Sequence, residues 1–153
     1  MDMMEIMEIN PLNDQLMEVW LSFRHRLWPY HTLEELKHEM TTTIDTPHYG
    51  VFFCKNNSSY VGFIEVSIKE NIEFSSISPI GYIEGWYVDE QYRKLGIGRL
   101  LMHTAETWVA SKSITWIASD TTLEYNLSPI AHKKLGFTES SIPLHYLKSI
   151  QID

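Results

Sequence analysis

The sequence predicts an α/β domain, a mixed β-sheet flanked by helices, and three observations carry that prediction. Apolar residues recur at steps of three and four along 12–27 and again along 97–109, the period of an amphipathic helix. Between these stretches lie short runs rich in β-branched and aromatic residues, at 49–54, 60–68 and 82–88. From residue 82 onward the pattern alternates strand, helix, strand, helix, strand, as in sheets that contain parallel pairs. A chain of 153 residues has room for one sizeable core, so the whole of 1–153 is expected to be a single domain.

The elements follow in order. Residues 10–28 read as a helix whose apolar face is Leu12, Leu16, Val19, Trp20, Phe23 and Leu27. Asn13 or Asp14 can cap its start. Pro29 stops it, because the ring has no N–H and restricts Trp28 before it. Thr32 with Glu35 has capping-box spacing and marks a second helix. Strands at 49–54 and 60–68 flank a polar turn at 55–59. A loop over 71–79 ends at Ser78-Pro79, before the strand at 82–88. Residues 96–112 form the clearest helix, with a stripe of Ile97, Leu100, Leu101, Ala105, Trp108 and Val109. A short buried strand at 114–118 comes next. Ser128-Pro129 then looks like the cap and first position of a helix that Gly136 closes. Residues 144–148 form a last strand.

Composition narrows the function. The net charge is −8, which disfavours nucleic acid or an anionic membrane as a partner and suits a cationic small molecule; on charge alone, simple solubility explains it as well. No apolar stretch approaches the ~18 residues of a membrane helix. The acidic start Met1-Asp2-Met3-Met4-Glu5 is unlike a secretion signal, and the single cysteine, Cys54, has no internal partner. A cytoplasmic protein is therefore expected. Seven histidines are scattered without the pairing of a zinc-protease helix, so no metal is expected.

The segment from Val88 to Arg99 carries the most chemistry. A strand runs into a turn with Arg93, Lys94, Leu95, Gly96, Ile97, Gly98 and Arg99, where a helix begins. Such a turn aims backbone N–H groups into one concavity, the glycines permit close approach, and the helix dipole adds partial positive charge. A diphosphate fits that geometry. The glycines alone fit a plain helix start better, and the pattern is neither a dinucleotide fingerprint nor a nucleotide P-loop.

Arg93-Lys94-Leu95-Gly96-Ile97-Gly98 resembles the Arg/Gln-x-x-Gly-x-Gly/Ala motif of the GCN5-related N-acetyltransferases (GNAT). His132-Lys133-Lys134-Leu135-Gly136-Phe137 resembles the family's second element, an aromatic residue followed by x-Lys-x-Gly-Phe. The resemblance spans the chain and implies a GNAT-like mixed central sheet flanked by helices, with acetyl-CoA as co-substrate. It implies a diphosphate on the backbone amides of 93–99 and a pantetheine paired with Trp86, Tyr87 and Val88 like an added strand. The Val88 amide or its neighbour would face the thioester carbonyl, where one such donor is worth ~3 kcal/mol against a developing oxyanion.

The acceptor is narrowed by further likeness. Leu27-Trp28-Pro29, Ile83-Glu84-Gly85 after Ser78-Pro79, Ala118-Ser119-Asp120-Thr121 and Leu135-Gly136-Phe137 together resemble the aminoglycoside 6'-N-acetyltransferases. That likeness makes Trp28, Glu84 and Asp120 the substrate-contacting residues, with Asp120 and Glu84 the candidate catalytic carboxylates in a direct transfer. Read from position alone, Trp28 also fits a core anchor, Glu84 a solvent-facing edge residue and Asp120 a turn cap. The family's pantetheine-binding Asn falls at Tyr125, with Asn126 beside it, and its thiolate-protonating Tyr falls at His132, which is either an acid or a helix residue with no catalytic role. Glu70 and Glu73 are either acids of the same pocket or solvated loop charges. Other acceptors stay open: a polyamine, a metabolite amine or a protein N-terminus. A non-catalytic acetyl-CoA sensor stays open too. A homodimer is expected, as in short-chain relatives.

Overall fold

The structure is a computed structural model and describes residues 3–9, 13–44, 46–122, 125 and 128–150. One mixed sheet of seven strands runs in the order β1-β2-β3-β4-β5-β7-β6. The expected α/β class and central mixed sheet are borne out.

β1 (Met4–Glu8) was not expected. Its Met and Glu residues are poor strand formers, and it forms because it pairs antiparallel along β2 (Tyr49–Asn56). α1 (Asp14–Leu27) begins where Asn13 accepts from Leu16 N–H at 2.8 Å, which settles the cap in favour of Asn13. The expected start at residues 10–12 lies outside the described residues. Trp28 is the C-cap, its N–H donating to Arg24 O at 2.8 Å. α2 (Leu33–Thr43) has the full capping box of Thr32 and Glu35. β2 and β3 (Ser59–Lys69) are longer than expected, because Asn57 takes a left-handed φ of 57° and shrinks the turn.

β4 (Ile80–Val88) is the central strand in the sheet order, and Glu84 lies on it past the last pair with β5. α3 (Ile97–Ala110) crosses over to β5 (Trp116–Asp120), which runs parallel to β4. α4 (Ser128–Lys134) ends at Gly136, whose φ is 92°. There Phe137 N–H donates to His132 O at 3.0 Å and Gly136 N–H to Lys133 O at 3.1 Å, a Schellman closure. β6 (Thr138–Glu139) and β7 (His145–Ser149) complete the sheet; β6 escaped the sequence reading because two residues carry no period.

The core lies on both faces of the sheet. Phe52, Ile64, Val66, Ile83 and Val88 pack against Ile97, Leu101, Ala105 and Val109 of α3. Val51, Phe53 and Phe63 pack against Trp20 and Phe23 of α1 and Met40 of α2. The alternation of neighbours along β2 is the period of two that a sheet buried on both faces requires.

Candidate active site

β4 and β5 pair only at Gly81–Ile117 and Tyr82–Ala118. Beyond those pairs no ladder joins the two strands, which leaves that edge of β4 open toward their carboxyl ends, where open α/β sheets place ligand clefts. The ladder with β3 orients the cleft wall. Asp89 N–H donates to Val61 O at 2.8 Å. Bonded and non-bonded pairs alternate in an antiparallel ladder. Tyr87, opposite Phe63, therefore turns its backbone groups toward β3, while Trp86 and Val88 turn theirs into the cleft. An extended ligand can add to this edge as a strand.

At the end of β4 a short 3-10 turn (Glu90–Tyr92) leads into two left-handed residues, Lys94 (φ 67°) and Gly96 (φ 87°). The first helical bond of α3 is Leu100 N–H to Gly96 O at 3.0 Å, so the N–H groups of Ile97, Gly98 and Arg99 precede the helical ladder. A Cβ at Gly98 would lie 3.3 Å from the Trp86 ring, and Trp86 Nε1–H donates to Gly98 O at 3.2 Å. Trp86 thus braces the turn with its indole and lines the cleft with its backbone. Ile97 is buried in the core, so only its N–H is available, whereas Lys94, Leu95 and Arg99 are exposed at the mouth. The Arg93 side chain is engaged within the chain: its Nε–H donates to Val88 O at 2.8 Å and its guanidinium lies 5.6 Å from the centroid of the Tyr87 ring. It fixes the end of β4. An extended ligand with a diphosphate fits the open β4 edge and the unladdered N–H groups together.

The carboxylates gather at the other end of the cleft. Opposite β4, Glu65 pairs with Gly85 and Val66 with Ile83, so Glu84 is an extra residue in a β-bulge. The bulge reverses the alternation: a Cβ at Gly81 would strike Val109 of α3, whereas one at Gly85 would lie 3.0 Å from Trp28 at the end of α1. Trp28 is half-buried, with the Arg24 guanidinium 5.1 Å from its ring centroid, so it is both an anchor and a partly open aromatic face. Glu84 is not a lone anion, because Lys69 Nζ lies 3.0 Å from its Oε1. Tyr82 donates its hydroxyl hydrogen bond to Asp120 Oδ2. Burial, then that bond and the Asp120 charge, hold the Tyr82 phenol well above its usual range, with Glu84 and Glu73 adding to the effect. Phe74 packs edge-on against Tyr82 and His145, at 6.2 and 4.8 Å between centroids, which brings the Glu73 loop against the site.

A buried network beneath this site was not anticipated. Arg24 donates to both Glu65 oxygens at 2.8 and 3.0 Å and to Glu39 at 3.1 Å. Trp20 Nε1–H donates to Glu65 at 2.8 Å, and the Tyr49 hydroxyl donates to its other oxygen. Burial opposes the Arg24 charge, and the Glu65 carboxylate more than restores it. A carboxyl residue between Ile64 and Val66 was the available signal.

His132 is buried and joins α4 to β5. Its Nδ1 lies 2.8 Å from Ser128 O, which can only accept, so Nδ1 carries the proton and Nε2 accepts from Ser119 Oγ–H at 2.8 Å. Burial depresses its pKa, although the Ser128 carbonyl and the Asp120 charge pull upward. This arrangement favours the structural role over the acid. The Tyr125 hydroxyl donates to Leu27 O and ties the loop after β5 to the end of α1. Asn126 lies outside the described residues. Cys54 is buried and its thiol is pushed up by that burial, as an inert core residue should be.

Residues 20–137 match the acetyltransferase (GNAT) family. An aminoglycoside N(6')-acetyltransferase type 1 of Klebsiella aerogenes is 34% identical over 124 residues, 78% of this chain and 82% of that one. A solved aminoglycoside 6'-N-acetyltransferase, AAC(6')-Ih of Acinetobacter baumannii, superposes with a TM-score of 0.81 at 28% identity, covering 97% of this chain and all of that one. AAC(6')-Iy in complex with the bisubstrate analog CoA-S-monomethyl-acetylneamine superposes with a TM-score of 0.82 at 26% identity, over 92% and 94% of the two chains.

Proposed function

The chain belongs to the acetyltransferase (GNAT) family, and from that premise we propose that it transfers the acetyl group of acetyl-CoA to the 6'-amine of an aminoglycoside, a reaction that confers antibiotic resistance. What supports this reading is the unpaired end of β4, with the unladdered N–H groups of Ile97, Gly98 and Arg99 beside Trp86 and with Tyr82, Glu84 and Asp120 further back along the strand.

Bound acetyl-CoA supplies an activated acetyl thioester. The N–H groups of Ile97, Gly98 and Arg99 hold the diphosphate, with Lys94 and Arg99 adding charge, and the Trp86 and Val88 backbone groups align the pantetheine. The Val88 N–H faces the cleft and steadies charge developing on the carbonyl oxygen. Trp28 covers the acceptor sugar, and Glu84 attracts an ammonium of the acceptor. Asp120 takes the proton that the amine sheds as its nitrogen bonds to the acetyl carbon and the C–S bond breaks; solvent reprotonates the thiolate. Tyr82 keeps Asp120 oriented through Oδ2, and Oδ1 has no partner among the described residues. Cys54 takes no part, so the transfer is direct. The same reading takes the whole chain, 1–153, as one domain acting in the cytoplasm. Pairing into a homodimer is part of the same reading.

Thiol release tests the assignment. An aminoglycoside with a 6'-amine should be turned over, and its partner with a 6'-hydroxyl should not. Turnover of spermidine or a short peptide alone would overturn the acceptor. Asp120→Asn should lower kcat by well over tenfold with the fold intact; an unchanged rate would remove Asp120 as the base.

A further inference from the structure

Lys69 ends β3 inside the acceptor site. Its Nζ lies 3.0 Å from Glu84 Oε1 and 4.1 Å from the centroid of the Tyr82 ring. An ammonium set between a carboxylate and an aromatic face is the environment that a site for cationic amines offers its substrate. Here the chain fills it with its own side chain. The two side chains are 41% and 26% exposed, and ion pairs with such access to water exchange readily.

The surroundings are otherwise acidic. β4 contributes Glu84 and Tyr82, β5 contributes Asp120 through Tyr82, and the loop before β4 contributes Glu73. β2 contributes Tyr49, and β3 itself contributes Glu65. The Arg24 guanidinium of α1 is already engaged by Glu65 and Glu39. A site this acidic binds a polycation well but holds its protons tightly, since a nearby carboxylate favours the charged amine. The amine must nevertheless lose a proton before it can attack.

We propose that Lys69 is a tethered counter-cation: it occupies Glu84 until an acceptor ammonium displaces it, and its charge then keeps the bound amine easier to deprotonate. Lys69 is a tuning residue and forms no bond to substrate in the transfer. Its removal should improve binding and impair chemistry, two effects of opposite sign that loss of a merely structural contact would not give. This inference rests on the aminoglycoside reading above.

The test compares wild type with Lys69→Gln and Lys69→Arg, using neamine as acceptor and thiol release across pH. For Lys69→Gln, KM for neamine should fall about tenfold and the ascending limb of the kcat profile should move up by about one pH unit. Lys69→Arg should keep both wild-type values. Calorimetry of neamine on the CoA-saturated protein should show the same tighter binding for Lys69→Gln without any turnover. An unmoved limb, a raised KM, or an Arg variant that behaves like the Gln variant overturns the role of Lys69 while leaving the acceptor assignment standing. No turnover of neamine by the wild type overturns the assignment itself, and the role of Lys69 with it.

Discussion

Arg24→Met should be the most informative perturbation of the scaffold under the acceptor site. It removes the guanidinium that gives Glu65 two hydrogen bonds, at 2.8 and 3.0 Å, and leaves a carboxylate of zero exposure. Breaking a buried pair from one side costs about 3–5 kcal/mol. Trp20 Nε1–H and the Tyr49 hydroxyl still donate to Glu65, which argues for the low end. At about 3 kcal/mol, and about 2–4 °C per kcal/mol for a chain of this size, Tm should fall by about 6–12 °C. Adding Glu65→Gln removes the stranded charge while its amide still accepts from Trp20. The double variant should therefore regain about 2 kcal/mol over Arg24→Met alone. Urea unfolding monitored by tryptophan fluorescence reads all three proteins. A double variant no more stable than Arg24→Met would refute the reasoning, because the loss would then lie in packing and not in the buried charge.

Three other outcomes follow from the same geometry. Gly96→Ala meets no atom within 4 Å but must hold a φ of 87°, so it should lower Tm by about 2–4 °C, from a backbone cost of about 1 kcal/mol, and raise KM for acetyl-CoA with little effect on the acceptor KM. Trp28→Ala should raise the aminoglycoside KM at least about fivefold, on a cation–π contribution of about 1 kcal/mol, while KM for acetyl-CoA stays put in steady-state kinetics. His132 is held below its ordinary pKa by burial, so below pH ~6.5 the unfolded chain binds a proton that the native chain resists. Stability therefore falls as pH drops from ~6.5 toward the depressed value, and His132→Gln should flatten that slope relative to wild type when melts are compared between pH 5 and 7.

Much of this molecule was legible before any coordinates. α1 and α3 announced themselves because an apolar stripe on a helix needs no partner to be recognised. The turn at 93–99 was legible only through the family likeness, since two glycines and basic residues also suit a plain helix start. What escaped depended on distant partners. β1 is a strand only beside β2, and its Met and Glu residues carry no intrinsic signal. The pairing of Lys69 with Glu84 needs the bulge at Glu84, a feature of register that a linear pattern does not contain. The bond from Arg93 to the carbonyl of Val88 was equally invisible, because a charge shows in a sequence and its backbone acceptor does not. Glu65 obeyed the same argument that singled out Glu84, a carboxylate inside an apolar strand, and its partner Arg24 lay hidden on a helix far away in sequence.

The short pairing of β4 with β5 has a bearing on how long each copy of the protein survives. Two residue pairs stitch the parallel part of the sheet, and past them the Trp86 and Val88 backbone groups face the cleft. A ligand laid along that edge serves as an eighth strand and binds the native state alone. At a hundred times its dissociation constant it adds about 2.7 kcal/mol to the folding free energy. Degradation drawn from the opened chain then slows about a hundredfold as the cleft fills. Clearance that proceeds through the opened chain would therefore be slower for the ligand-filled protein than for the empty one.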